Sequence, residues 1–210
     1  MNSTDTITTI DSVTLETDDT AAAADAERFY ATAFGIGDRV KVRATDAPTS
    51  GFRGYTLSLN VAQPADVRLL FERGLAAGAT VVKPVEKSLW GVGGNLRAPD
   101  GAIWTIATSA KKDSGPATAD IERIVLLLGA DDIGATKRFY VDRGLAVGKS
   151  FGAYVEFTTP GSPILLGLYK RRALAKAAGV PAEGSGSHRL VIDGGGAFTD
   201  PDGFAWGTGA

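Results

Sequence analysis

The sequence predicts an α+β chain built from two repeats of one strand-and-helix unit. Three observations predict it. Segments with strand period and segments with helix period alternate along the chain. Arg28-Phe29-Tyr30 recurs as Arg138-Phe139-Tyr140 (28 to 138), each inside the first helix of its half. Pro99-Asp100-Gly101 with Trp104 recurs as Pro201-Asp202-Gly203 with Trp206 (99 to 201), in the same order relative to the strands. Two ordered recurrences at nearly one offset point to an internal duplication.

The elements follow in order. Ile10 to Thr17 alternates weakly and reads as a strand. Asp18-Asp19-Thr20 is a helix-capping cluster. From Ala21 to Phe34 one helical face carries Ala22, Ala26, Phe29, Tyr30, Ala33 and Phe34, and Gly35 ends the helix. Arg39 to Ala44 is a strand, Asp46 to Gly51 a turn, and Tyr55 to Val61 a clearly alternating strand. Pro64 opens a helix whose stripe is Val67, Leu70, Phe71 and Leu75. Ala79 to Val85 is a strand, and Asn95 to Ala107 a hairpin turning at Pro99-Asp100-Gly101.

Ser109 to Asp120 lacks apolar period and is rich in Lys, Ser, Gly and Pro, so it reads as a linker. The units are then residues 1–108 and 121–210, joined by 109–120. The second begins again with a strand over Ile121 to Leu128, a cap at Asp131-Asp132 and a helix over Ile133 to Arg143. Strands follow over Ala153 to Thr158 and Ile164 to Tyr169. A short helix over Arg171 to Ala178, a strand over Ser185 to Asp193 and a hairpin at Pro201-Asp202-Gly203 complete the unit.

Composition narrows the function. The net charge of −2 gives no basic excess for nucleic acid. The absence of cysteine removes disulfides and thiolate catalysis. No apolar run approaches the ~18 residues of a membrane span, and Met1 to Thr9 lacks the order of a signal peptide. A cytoplasmic protein with no membrane or nucleic-acid partner is expected; a homodimer stays open.

The pattern resembles the vicinal-oxygen-chelate superfamily, which includes glyoxalase I, extradiol dioxygenases and bleomycin-resistance-type binding proteins. Its carriers are Ile10-Asp11-Ser12-Val13 with the Arg28-Phe29-Tyr30 helix, Gly78-Ala79-Thr80-Val81-Val82-Lys83-Pro84, Leu89-Trp90-Gly91 and the Pro99-Asp100-Gly101 turn with Trp104. In the second half they are Lys137-Arg138-Phe139-Tyr140, Gly184-Ser185-Gly186-Ser187-His188 and Asp200-Pro201-Asp202-Gly203 with Trp206. The resemblance implies tandem β-α-β-β-β modules whose curved mixed sheets form a glyoxalase-like cleft. Both units are shortened: the first lacks two strands near Ala44 to Gly51, and the second has Gly194-Gly195-Gly196 where a helix and strand would stand. The two units therefore either keep separate clefts or share one.

The resemblance also implies metal-ligand positions, occupied here by Ser12, Arg53 and Thr105 in the first unit and Arg123, His188 and Gly207 in the second. A divalent ion needs several converging imidazole or carboxylate donors, so neither a metal nor another cofactor is expected. His188 and Glu156 are the candidate acid/base groups. The simpler reading makes His188 a strand-edge residue satisfied by a neighbour, and Glu156 one member of an ordinary polar strand face. Arg53, Trp90, Trp104, Tyr154 and Trp206 are candidate ligand contacts. Core packing is the competing reading for Trp104 and Trp206, a solvated turn for Arg53. The function expected first is metal-free binding of a small, largely apolar or aromatic molecule, of sequestration or resistance type. The alternatives are a metal-independent isomerase or cyclase and a degenerate unit kept for protein association.

Overall fold

The computed structural model describes residues 6–208. Strand β1 (Ser12–Thr17) leads into helix α1 (Thr20–Phe29), whose Asp19 cap accepts from Ala22 N at 2.8 Å. The helix widens into a π-turn over Tyr30–Phe34 and stops at Gly35. Then come β2 (Val40–Ala44), β3 (Thr49–Gly51) and β4 (Tyr55–Asn60). Helix α2 (Pro64–Ala76) starts on its proline, where the missing N–H costs nothing. It is followed by β5 (Thr80–Ser88), β6 (Gly91–Arg97) and β7 (Ile103–Thr108). Beyond the linker lie β8 (Arg123–Ala130), α3 (Ile133–Asp142), β9 (Ala146–Phe151), β10 (Tyr154–Thr158) and β11 (Ile164–Lys170). The chain closes with α4 (Arg171–Ala178), β12 (Gly184–Gly186), β13 (Leu190–Asp193), β14 (Phe198–Thr199) and β15 (Ala205–Gly207).

Eight strands form one sheet in the order β5-β6-β7-β4-β8-β11-β10-β9. Its middle seam is the antiparallel pair β4/β8, with Leu57 opposite Leu126. Each half closes by a parallel pair, β4 with β7 and β8 with β11. Each half is thus a strand, a helix and three further strands. A second sheet, β14-β15-β13-β1-β2, repeats that plan in shortened form around the antiparallel seam β1/β13, where Ser12 faces Asp193. Both sheets therefore draw strands from both sides of the linker. A small ribbon pairs β3 with β12.

One apolar core spans the two sheets and takes side chains from the first three helices. The repeated motifs meet inside it. Trp104 Nε1 donates to the Tyr30 hydroxyl at 3.1 Å, which donates to Asp100 Oδ1 at 2.9 Å. Trp206 Nε1 donates to the Tyr140 hydroxyl at 3.1 Å, which donates to Asp200 Oδ2 at 2.7 Å. The first relay joins the π-turn after α1, beside the small sheet, to β7 of the large one, and the second joins α3, beside the large sheet, to β15 of the small one. The aspartates differ: the second relay uses the residue before Pro201, while Asp202 accepts from Thr136 Oγ1 instead. The linker is strapped to the start of α2. Gln63 Oε1 accepts from Ser114 N and Gly115 N, Asp66 Oδ1 from Thr118 N, and Asp113 Oδ1 from Ala65 N.

On the other face of the large sheet, α4 presses Leu174, Ala175 and Ala178 against Phe52 and Ile103. Its final carbonyls accept from Lys83 Nζ and Asn95 Nδ2.

Four local expectations change. Strand β9 is an exposed edge strand with glycine, lysine and serine, so it carries no apolar alternation to read. Thr49–Gly51, read as a turn, is strand β3. The glycines after Trp90, given no element from sequence, belong to β6; a Cβ at Gly94 would sit 2.8 Å from the Phe71 ring. The strand expected over Ser185 to Asp193 breaks at Arg189, whose φ of 51° is left-handed.

Candidate ligand cleft

A cleft of about 470 Å³ opens where the β3/β12 ribbon meets the β6–β7 turn and the segment after α4. Residues of both halves line it. Its walls include apolar Phe52, Tyr55, Ala102, Ile103, Val180 and Pro181, and its charged groups are Arg53, Arg97, Arg189, Asp18 and Glu183.

Local structure sets each wall. The ribbon is narrow because Gly186, at φ 86°, lies against the Pro48 carbonyl, where a Cβ would collide. Phe52 is held from behind by Arg171, whose Nη2 donates to the Phe52 carbonyl at 2.7 Å while its guanidinium stacks near the ring. Arg53 Nη2 donates to the Asp100 carbonyl at 2.7 Å, which fixes the guanidinium. Its Nη1 is buried. Tyr55 is 2% exposed, and its hydroxyl lies against the Arg53 guanidinium. Burial pushes that hydroxyl up from the ordinary phenol range, with the neighbouring Arg53 partly offsetting it. Asp100 Oδ2 is buried without a partner in the same cluster, and burial raises that carboxyl as well. Arg189 Nη2 pairs with Asp18 Oδ1 at 2.5 Å and donates to the Ala47 carbonyl at 3.0 Å. Arg97 is exposed and makes one long bond, 3.4 Å to the Gly101 carbonyl.

Among the residues singled out from sequence, Arg53 alone lines this cleft. His188 lies beside it in a smaller cavity behind Arg53. Its Nδ1 is 2.6 Å from the Arg53 carbonyl, its Nε2 is 3.0 Å from the Asp202 carbonyl, and its ring stacks on Phe204. Both ring nitrogens lie against backbone carbonyls, which holds the imidazole in place. Glu156 borders a different, shallow cavity of about 380 Å³. It accepts from the Tyr154 hydroxyl at 2.8 Å and pairs with Lys149 at 3.4 Å. Burial and that bond to Glu156 raise the Tyr154 hydroxyl. Trp90 projects from the β5–β6 tip at 83% exposure and borders a shallow groove beside α4. Trp104 and Trp206 are buried in the relays, so neither indole offers surface to a ligand. Sequence reasoning missed Tyr55, Arg97 and Arg189. Tyr55 sat in view as the first residue of an alternating strand after Gly54, with nothing to set it apart from Leu57 and Leu59 on the same face.

The positions that the resemblance assigns to a metal do not fit one. Ser12 Oγ donates to Asp193 Oδ2, and Thr105, Arg123 and Gly207 supply no anionic or imidazole donor. Among the described residues, no three of His, Cys, Asp and Glu converge. No helix among them is long and apolar enough to cross a membrane.

Strand order, parallel closures and paired seams together define the vicinal-oxygen-chelate, or glyoxalase, fold, and this chain has it. Among solved structures it is similar to glyoxalase I from Zea mays, with TM-score 0.59 and 13% identity over 94% of this chain and 90% of that one. It is also similar to a putative dioxygenase from Bacillus subtilis subsp. subtilis str. 168, with TM-score 0.55 and 12% identity over 94% and 72%. No protein-family model matches the sequence, and a search of curated proteins finds no match.

Proposed function

We propose that the chain binds a small, partly apolar organic molecule in the cleft between its halves, by contact and hydrogen bonding, without a resident metal. The observation that carries this is the cleft itself. Its 470 Å³ lies within the range of about 300–1,000 Å³ of small-molecule sites, and apolar walls face a few fixed polar groups. An acid/base reaction using Glu156 or His188 has less support, because neither residue lines the cleft. Sequestration is the version that the glyoxalase-type resemblance suggests. The test is ligand-observed NMR with a panel of aromatic and branched aliphatic compounds, on the native chain and on Val180→Trp, which fills the cleft mouth. Saturable binding lost in Val180→Trp, with an unchanged melting curve, supports the reading. A panel with no saturable binder, or binding that Val180→Trp leaves intact, overturns it.

A further inference from the structure

Apart from the cleft, we infer that the β5–β6 turn anchors the chain on an anionic lipid surface. Leu89 and Trp90 stand at the tip of that turn, 76% and 83% exposed. The turn is braced from within: Ser88 Oγ accepts from Trp90 N at 3.1 Å and donates to the Gly91 carbonyl at 3.3 Å. Gly91, at φ 134°, lies so close to the Thr108 carbonyl that a Cβ would collide, which seats the tip against the end of β7. Two large apolar side chains are thus held outward in a fixed turn.

Basic charge surrounds them. Lys87 comes just before the tip, and Lys111 and Lys112 follow Ser109, whose Cα lies against Gly91. Two or three residues of chain reach at most about 7–11 Å, so both linker lysines stay near the tip. All three lysines are exposed, and none is in an ion pair among the described residues. On the acidic side, Glu86 is exposed beside them, while Asp113 is already held by Arg68 and Ala65 N. Three positive charges against one leave an excess of two, in a chain whose net charge is −2.

An indole prefers the headgroup level of a bilayer, with its ring against apolar chain and its N–H in water. Lysines at that level attract anionic headgroups. A protein partner fits less well. The tryptophan can bury about 150–250 Å² and the leucine less, short of the about 800 Å² per partner of a stable protein interface. The sequence expectation of no membrane partner rested on the lack of a spanning segment, which a contact with the surface does not need.

The experiment compares vesicles of phosphatidylcholine alone with vesicles of phosphatidylcholine and phosphatidylglycerol in equal parts. Co-sedimentation gives the affinity. Tryptophan emission gives the site, because Trp104 and Trp206 are buried and Trp90 is exposed. The native chain should bind the anionic vesicles with a blue shift, about tenfold or more tighter than the neutral ones. Lys111→Gln and Lys112→Gln should each weaken binding about fivefold, and added salt should weaken it further. Trp90→Ala should abolish the shift and weaken binding about tenfold or more. Phe151→Ala, which removes an equally exposed ring from the opposite edge of the sheet, should bind as the native chain does. Thermal melts check that the variants fold, and the comparison of the two vesicle types needs no variant. No binding to anionic vesicles, equal binding to neutral ones, or the same loss in Phe151→Ala as in Trp90→Ala would overturn the inference. So would a concentration-dependent mass that Trp90→Ala abolishes, because the tip would then be a contact between proteins.

Discussion

Tyr30→Phe probes the relay that ties the two sheets together. The variant keeps the ring and removes one oxygen. Two bonds disappear, one from Trp104 Nε1 at 3.1 Å and one to Asp100 Oδ1 at 2.9 Å. The indole N–H is then buried with no acceptor, and Asp100 Oδ1 keeps only the 3.3 Å bond from Ala102 N. Orphaning a buried donor costs about 1–3 kcal/mol and losing the second bond about 1 more, so we expect about 2–3 kcal/mol after the relief of burying one fewer hydroxyl. At this chain length that lowers Tm by about 4–12 °C. Tyr140→Phe has the same geometry against Trp206 and Asp200 and should fall in the same range. Tyr169→Phe, which removes no hydrogen bond, is the control. Urea titration and calorimetry report the differences. If both relay variants lie within about 0.5 kcal/mol of the control, the relays do not bear on stability and the reading of the repeat fails.

Two further outcomes are expected. Burial raises Asp100 above the ordinary carboxylate range, so its contribution to stability is full below the unfolded value near 4 and is lost as pH rises through the raised one. Asp100→Asn keeps an acceptor for Tyr30 and should gain stability relative to the native chain as pH rises from about 4 to 8; parallel pH–Tm curves would refute this. Gly186→Ala places a Cβ against the Pro48 carbonyl at a left-handed backbone position, at a cost of about 1–3 kcal/mol. It should weaken binding in the cleft along with the ribbon, and a melt and an affinity both matching the native chain would count against the ribbon as a cleft wall.

The periodic elements were legible because each buries one face: the Tyr55–Asn60 strand and the Pro64 helix lie where alternation and the apolar stripe put them. The recurrence of the two motifs was legible too, but its meaning was not. Phe-Tyr and Asp-Gly-x-x-Trp lie far apart in sequence, and only the fold shows that hydrogen bonds join them. Interleaving of the halves was hidden for a related reason. An apolar strand states that it wants a covered face, not which partner covers it, so nothing in Val13 or Leu15 names Ile192 or Leu190. Arg53 was readable as a lone charge near a turn. The buried Tyr55 hydroxyl beside it was not, since burial and that neighbour are properties of the assembled wall.

The seam between β1 and β13 sets a timetable for synthesis. Strand β1 is made long before β13 and can lie beside β2 at once, but its other margin waits until residue 193 has been made. Until then the nascent chain carries a bare strand edge. That is the state in which newly made proteins stick to one another. Production at low temperature or with abundant chaperone should raise the soluble yield of this chain more than that of a protein whose sheets close as they emerge.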